Sequence, residues 1–192
     1  NFLYDIGQSS MTDMGGIYTL GNSPGTEIKS NVIKNVRGFL PDGAGAWGIY
    51  NDQGSSNILI EGNVIVGTDG GSYFGHKQMI NNIVRNNALA SMSTEARFAG
   101  VEIDTADGDI SPTGKSVEFN NNYVFATKDP FVRMTNGEHL GQIKFSGNNV
   151  SNQYLANPLI PNACGTGCTI AKNITLNAKS WNETPDVVRD GN

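Results

Sequence analysis

The chain has 192 residues, 38% of them hydrophobic and only 16% charged, with a formal net charge of −5; ordinary soluble domains are about 25% charged. Its 24 Gly and 24 Asn make up a quarter of the residues, too many turn formers for a helical bundle or a coiled coil. No apolar run approaches the ~18 residues of a membrane helix, and no Lys/Arg cluster offers the basic patch that nucleic acid needs. Neither a membrane nor a nucleic acid is therefore an expected partner, and a sparsely charged acidic surface suits an uncharged polysaccharide or oligosaccharide.

Self-similarity organises the chain from its first residue. Asn1-Phe2-Leu3-Tyr4-Asp5-Ile6 aligns beneath Asn31-Val32-Ile33-Lys34-Asn35-Val36. Gly16-Ile17-Tyr18 recurs as Gly48-Ile49-Tyr50 at an offset of 32, which without a gap carries Ile28 onto Ile60 and Asn31-Val32-Ile33 onto Asn63-Val64-Ile65. An offset of 24 then takes Ile60 to Val84 and Asn63 to Asn87, and looser copies follow at Asn122-Tyr123-Val124 and Asn149-Val150. A β-sandwich would instead space its strands every 8–12 residues or so. The repeats predict an all-β, right-handed parallel β-helix: a solenoid of about six rungs over residues 1–157. Val, Ile and Leu would stack inside, rungs ~4.8 Å apart, and the bend Asn would bond its neighbours and accept a left-handed backbone.

Residue 1 falls on a bend Asn in mid-rung, so the sequence reads as a mature product or a fragment. Upstream rungs or another chain are expected to cover that end. From Pro158 to Asn192 the repeat is lost, and residues 158–192 read as a C-terminal cap or irregular tail. Cys164 and Cys168 bracket Gly165-Thr166-Gly167 and read as a small disulfide or as free thiols; two thiols alone make a poor zinc site. Sequons at Asn149, Asn173 and Asn182 are compatible with export, and a secreted or cell-envelope location is expected.

The same alignment sorts residues into columns on the outer face. Gly16, Gly48, Ser72 and Gly100 form a column of small residues, where a ligand or backbone can approach. Four positions on, Leu20, Asp52, His76 and Asp104 align. A carboxylate–imidazole–carboxylate column at rung spacing reads as acid/base machinery or as a solvated salt-bridge ladder. Trp47, Tyr50 and Tyr73 lie close by and are candidate sugar-binding rings, Trp47 as a platform at the rim; Tyr18 reads as a member of a structural aromatic ladder. Asp104, Asp107 and Asp109 cluster, with Asp69 elsewhere, but the EF-hand spacing is absent. No metal site or cofactor is implied; calcium is the one cation such a loop would suit.

Two stretches carry a family resemblance. Asp5-Ile6-Gly7-Gln8-Ser9-Ser10-Met11-Thr12-Asp13-Met14-Gly15-Gly16-Ile17-Tyr18-Thr19-Leu20-Gly21 and Trp47-Gly48-Ile49-Tyr50-Asn51-Asp52-Gln53-Gly54-Ser55-Ser56 resemble the right-handed β-helix proteins of glycoside hydrolase family 141, a group of α-L-fucosidases and xylanases. The resemblance spans roughly residues 1–90 and implies that Asp13 and Asp52 are the catalytic pair; His76 and Asp104, taken from the aligned column, are further candidates. Relatives carry a His-Tyr-Gly-Lys-like segment where this chain has Tyr73-Phe74-Gly75-His76-Lys77-Gln78, so the resemblance assigns His76 no role. Paired carboxylates are what glycoside cleavage requires: one acid for the leaving oxygen, one base or nucleophile. A polysaccharide lyase or epimerase would need a basic cluster, for which Lys77, Arg85 and Arg97 are the scattered candidates. A non-catalytic carbohydrate-binding, adhesin or structural β-helix is the third reading.

Overall fold

The computed structural model describes residues 1–8, 10–39, 45–91, 100–104, 116–126, 132–135, 143–151, 169–171 and 174–176. Within them lie 18 strands, β1 to β18 in chain order, and no helix. The first sheet holds β1 (Phe2–Ile6), β4 (Val32–Val36), β7 (Val64–Thr68), β10 (Ala88–Ser91), β13 (Tyr123–Ala126), β16 (Asn149–Ser151) and β18 (Ile174–Leu176), in that spatial order. The second holds β2 (Met14–Thr19), β5 (Ala46–Asn51), β8 (Gly71–His76), β11 (Val101–Asp104) and β14 (Val132–Thr135). The third holds β3 (Asn22–Lys29), β6 (Ser56–Glu61), β9 (Asn82–Arg85), β12 (Val117–Asn120), β15 (Ile143–Ser146) and β17 (Thr169–Ala171). All pairings are parallel, and from β1 to β16 consecutive strands fall to the three sheets in rotation. The pairing extends past residue 158, where β17 joins β15 and β18 joins β16.

Register follows the repeats. Ile28 pairs with Ile60 and Ile60 with Val84 in the third sheet, while Val32 pairs with Val64 and Val64 with Ala88 in the first. Inward-facing Ile33, Ile65, Leu89 and Val124 of the first sheet meet Ile49, Val101 and Ile103 of the second and Ile58, Ile60, Phe119 and Phe145 of the third in one apolar core. Parallel strands need this: a single strand triplet cannot bury its apolar face alone, whereas each added triplet covers the one before.

An asparagine ladder fixes the corner before the first sheet. Asn31, Asn63, Asn87, Asn122 and Asn148 are all buried. Asn31, Asn63, Asn87 and Asn122 each turn the backbone N–H and the side-chain amide onto Oδ1 of the next, at 2.8–3.0 Å. Side-chain amides also reach the carbonyls of Ile28, Ile60, Val84 and Phe119. The residue before each ladder Asn is left-handed: Ser30, Gly62, Asn86, Asn121 and Gly147 have φ of 51°, 66°, 56°, 54° and 67°. Gly, Asn and small polar residues tolerate that bend best. One expected match shifts by a residue: Asn149 pairs with Tyr123, and Asn148 continues the ladder. The repeated unit is Asn-x-apolar, which Asn148-Asn149-Val150 preserves, and a one-residue slip would turn the strand inside out.

Candidate functional site

The site lies on the outward face of the second sheet, whose geometry depends on an irregularity in side-chain alternation. In β5, Trp47 and Tyr50 sit in an aromatic cluster with Phe74, apart from the core that holds Ile49. A Cβ on Gly48 would fall 2.2 Å from Ile65 Cγ2, so Gly48 also faces inward. Gly16 repeats this in β2, its would-be Cβ 2.8 Å from Ile33 Cγ2. Two adjacent residues thus face the core, and strict period-two parity fails there. The small-residue column is therefore no ligand approach: at Gly16 and Gly48 it faces the core, and its smallness admits the isoleucines of the first sheet.

Beyond that irregularity the outward column forms as the alignment expects. Tyr18 pairs with Tyr50 and Tyr50 with Phe74, the backbone N–H of Asp52 donates to the Thr19 carbonyl, and Asp104 pairs with His76. Asp52 Oδ1 lies 2.7 Å from His76 Nδ1 and accepts the Gln53 backbone N–H at 2.7 Å. Its Oδ2 accepts the Tyr18 hydroxyl. His76 Nε2 is 3.6 Å from Asp104 Oδ2, and the Tyr50 hydroxyl is 3.4 Å from His76 Nδ1. Because Asp52 can only accept, the contact assigns a proton to His76 Nδ1. The three side chains are 15–24% exposed, within reach of solvent.

Asp13 joins the same face from just before β2, at φ 52°. Burial raises the pKa of the Tyr50 hydroxyl, and the nearby charges of Asp13 and Asp52 raise it further. Tyr18 is pushed up to about 12, first by its hydrogen bond to Asp52, then by burial and by the charges of Asp52 and Asp13. Burial would push Asp52 up; the hydrogen bonds from Tyr18, His76 and the Gln53 N–H outweigh it and hold the carboxyl below its ordinary value. Asp52 therefore stands ionised at neutral pH, with three of about four lone-pair sites taken.

The candidate rings are placed differently from their expected roles. Trp47 is 4% exposed and stacks on Phe74 with centroids 4.4 Å apart, so it is a packing residue rather than an open platform at a rim. Tyr50 is buried between Trp47, Phe74 and Tyr18, and meets the site through its hydroxyl. Tyr73 points into the core, its ring 6.2 Å from Phe119 and its hydroxyl against the Met79 sulfur, on the opposite side of the sheet from His76. Tyr18, read from sequence as a structural ring, is 47% exposed and bonded to Asp52. Glu102 went unnoticed: it is buried, in register with Phe74 and two residues before Asp104. The alternation in Val101-Glu102-Ile103-Asp104 carried that signal.

Of the basic candidates, Arg85 lies on the third sheet, held by Glu61 at 2.7 Å, and Lys77 follows His76 at the strand end. Among the described residues no group of three or more His, Cys, Asp or Glu is placed to hold a metal ion. In the His76 column both ring nitrogens already face carboxylates. Asp107, Asp109, Arg97, Cys164 and Cys168 lie outside the described residues. No protein-family model, curated protein or solved structure matches the chain.

Proposed function

We propose that the chain winds as a right-handed parallel β-helix and is a carbohydrate-active protein, resembling glycoside hydrolase family 141, that cleaves a plant-type polysaccharide outside the cytoplasm with Asp13 and Asp52. The observation that carries this reading is the outward column in which Asp52, within reach of solvent, is held by Tyr18, His76 and the Gln53 N–H, with Asp13 exposed just before β2. Asp52, ionised and with one lone-pair direction left, suits the base or nucleophile, and Asp13, exposed just before β2, is the second carboxylate that the reaction needs. Strand rotation through three sheets supports the coil, because it stacks successive turns and fixes the two acids against one rigid backbone.

The test is product formation from xylan and from fucosylated oligosaccharides. New reducing ends are expected from the unaltered protein, with a loss on the order of 10²–10⁴-fold in Asp52→Asn and in Asp13→Asn. Turnover that survives both substitutions makes the column a structural or binding ladder. A product absorbing in the ultraviolet makes the protein a lyase.

A further inference from the structure

Tyr18 departs from the aromatic stack to which its position assigns it. Its neighbours along the column, Tyr50 and Phe74, meet at 33° with centroids 4.8 Å apart. Tyr18 stands at 85° to Tyr50, edge-on, with centroids 5.1 Å apart. That orientation sends the phenol diagonally, from the residue opposite Tyr50 to the carboxylate two residues further on, just past the end of β5. Diagonal neighbours in a sheet lie within reach of a long aromatic side chain. The position opposite Asp52 is Leu20, which is 63% exposed and can donate nothing. Without Tyr18 the column Asp104–His76–Asp52 would end on an oxygen with no donor from β2.

We infer that Tyr18 is a positioning residue for Asp52: with His76 and the Gln53 N–H it ties down three of the carboxylate's lone-pair directions and leaves one to face a substrate. The inference rests on the proposed catalytic use of Asp52 for its consequence in turnover, but not for its geometry. The phenol remains a donor at every pH at which the protein would work, because the two carboxylates around it oppose its ionisation. It is also half-exposed, so it borders the approach to Asp52 and is no part of the core. The chain Tyr18–Asp52–His76–Asp104 then crosses four successive strands of one sheet, with its phenol end open to solvent.

The test is an NMR titration of the protein with its Asp Cγ carbons labelled, which needs no substrate. The Asp52 midpoint is expected to rise by about one pH unit in Tyr18→Phe and to stay in place in Leu20→Ala; an unmoved midpoint in Tyr18→Phe overturns the inference. A measurement on the unaltered protein guards against misfolding of the variant. The Tyr18 Cζ resonance is expected to step at the Asp52 midpoint, and this step is expected to vanish in Asp52→Asn. A Tyr18 resonance blind to Asp52 overturns the inference equally. On any glycan the protein cleaves, Tyr18→Phe is expected to lower kcat with KM unchanged and to move the acid limb of activity to higher pH. If the titrations behave as stated while Asp52→Asn leaves turnover intact, positioning stands and the hydrolase reading falls.

Discussion

Asn63 directs two donors, its backbone N–H at 2.8 Å and its side-chain amide at 3.0 Å, onto the single Oδ1 of Asn87. Asn87 in turn donates to the carbonyls of Ile60 and Arg85 and to Asn122 Oδ1. Replacing Asn87 with Ala strands two buried donors of Asn63, takes one donor each from the Ile60 and Arg85 carbonyls, and leaves Asn122 Oδ1 without that amide. Asn87→Ala is expected to cost about 2–4 kcal/mol in urea unfolding. Asn22→Ala, which removes one exposed acceptor from Asn57, is expected to stay within about 0.5 kcal/mol. Equal costs at the two sites would show that the buried ladder carries no special weight.

Asp52 makes stability depend on acid. Its carboxyl lies below the ordinary 3.8 in the folded chain, so folding favours the ionised form. That contribution is complete above the unfolded value and disappears as pH falls through the folded one. Because the group is partly solvated, the amount is on the order of 1 kcal/mol or less. The stability gap between the unaltered protein and Asp52→Asn is expected to be widest above about pH 5 and to narrow below about pH 4. A gap that widens on acidification contradicts the hydrogen-bond assignment.

Gly48→Ala would bring a methyl group 2.2 Å from Ile65 Cγ2 and 2.7 Å from the Ser72 carbonyl. Overpacking of that kind is expected to cost about 1–3 kcal/mol. Adding Ile65→Ala removes the offending Cγ2, so the double variant should be less destabilised than the sum of the two by at least ~0.5 kcal/mol. Strict additivity would place Gly48 away from the core.

Trp47 is buried against Phe74, and its fluorescence reports this. In a Trp181→Phe background, where Trp47 is the one remaining Trp of the two, emission should be blue-shifted, poorly quenched by acrylamide, and unmoved by added oligosaccharide. A red, quenchable, glycan-sensitive signal would restore the platform role.

Strand pairing was legible because equivalent residues recur: once Asn31 is laid on Asn63 and Asn63 on Asn87, the pairs Val32–Val64 and Val64–Ala88 follow, while His76–Asp104 follows from laying Gly100–Asp104 on Gly48–Asp52. Facing was less legible. At Gly48 and Ile49 two successive residues turn inward, so counting by twos from Tyr50 places Gly48 outside, whereas Ile65 of another sheet demands that Gly there be small. The same irregularity puts Trp47 with Tyr50 and hides both in the cluster with Phe74. The bond from Tyr18 to Asp52 was not legible because this partner lies diagonally, two residues beyond the pairing that repeats reveal. Asp13 precedes its strand at a left-handed bend, so no column gave its distance to Asp52.

The asparagine ladder is polar in one direction. Each rung offers its hydrogens to the turn that follows and its oxygen to the turn that came before, so a cut between any two turns would bare unlike surfaces, one proton-rich and one lone-pair-rich. Two like surfaces cannot mate at this corner. Any end-on association through it must run head to tail, a heterologous contact without two-fold symmetry.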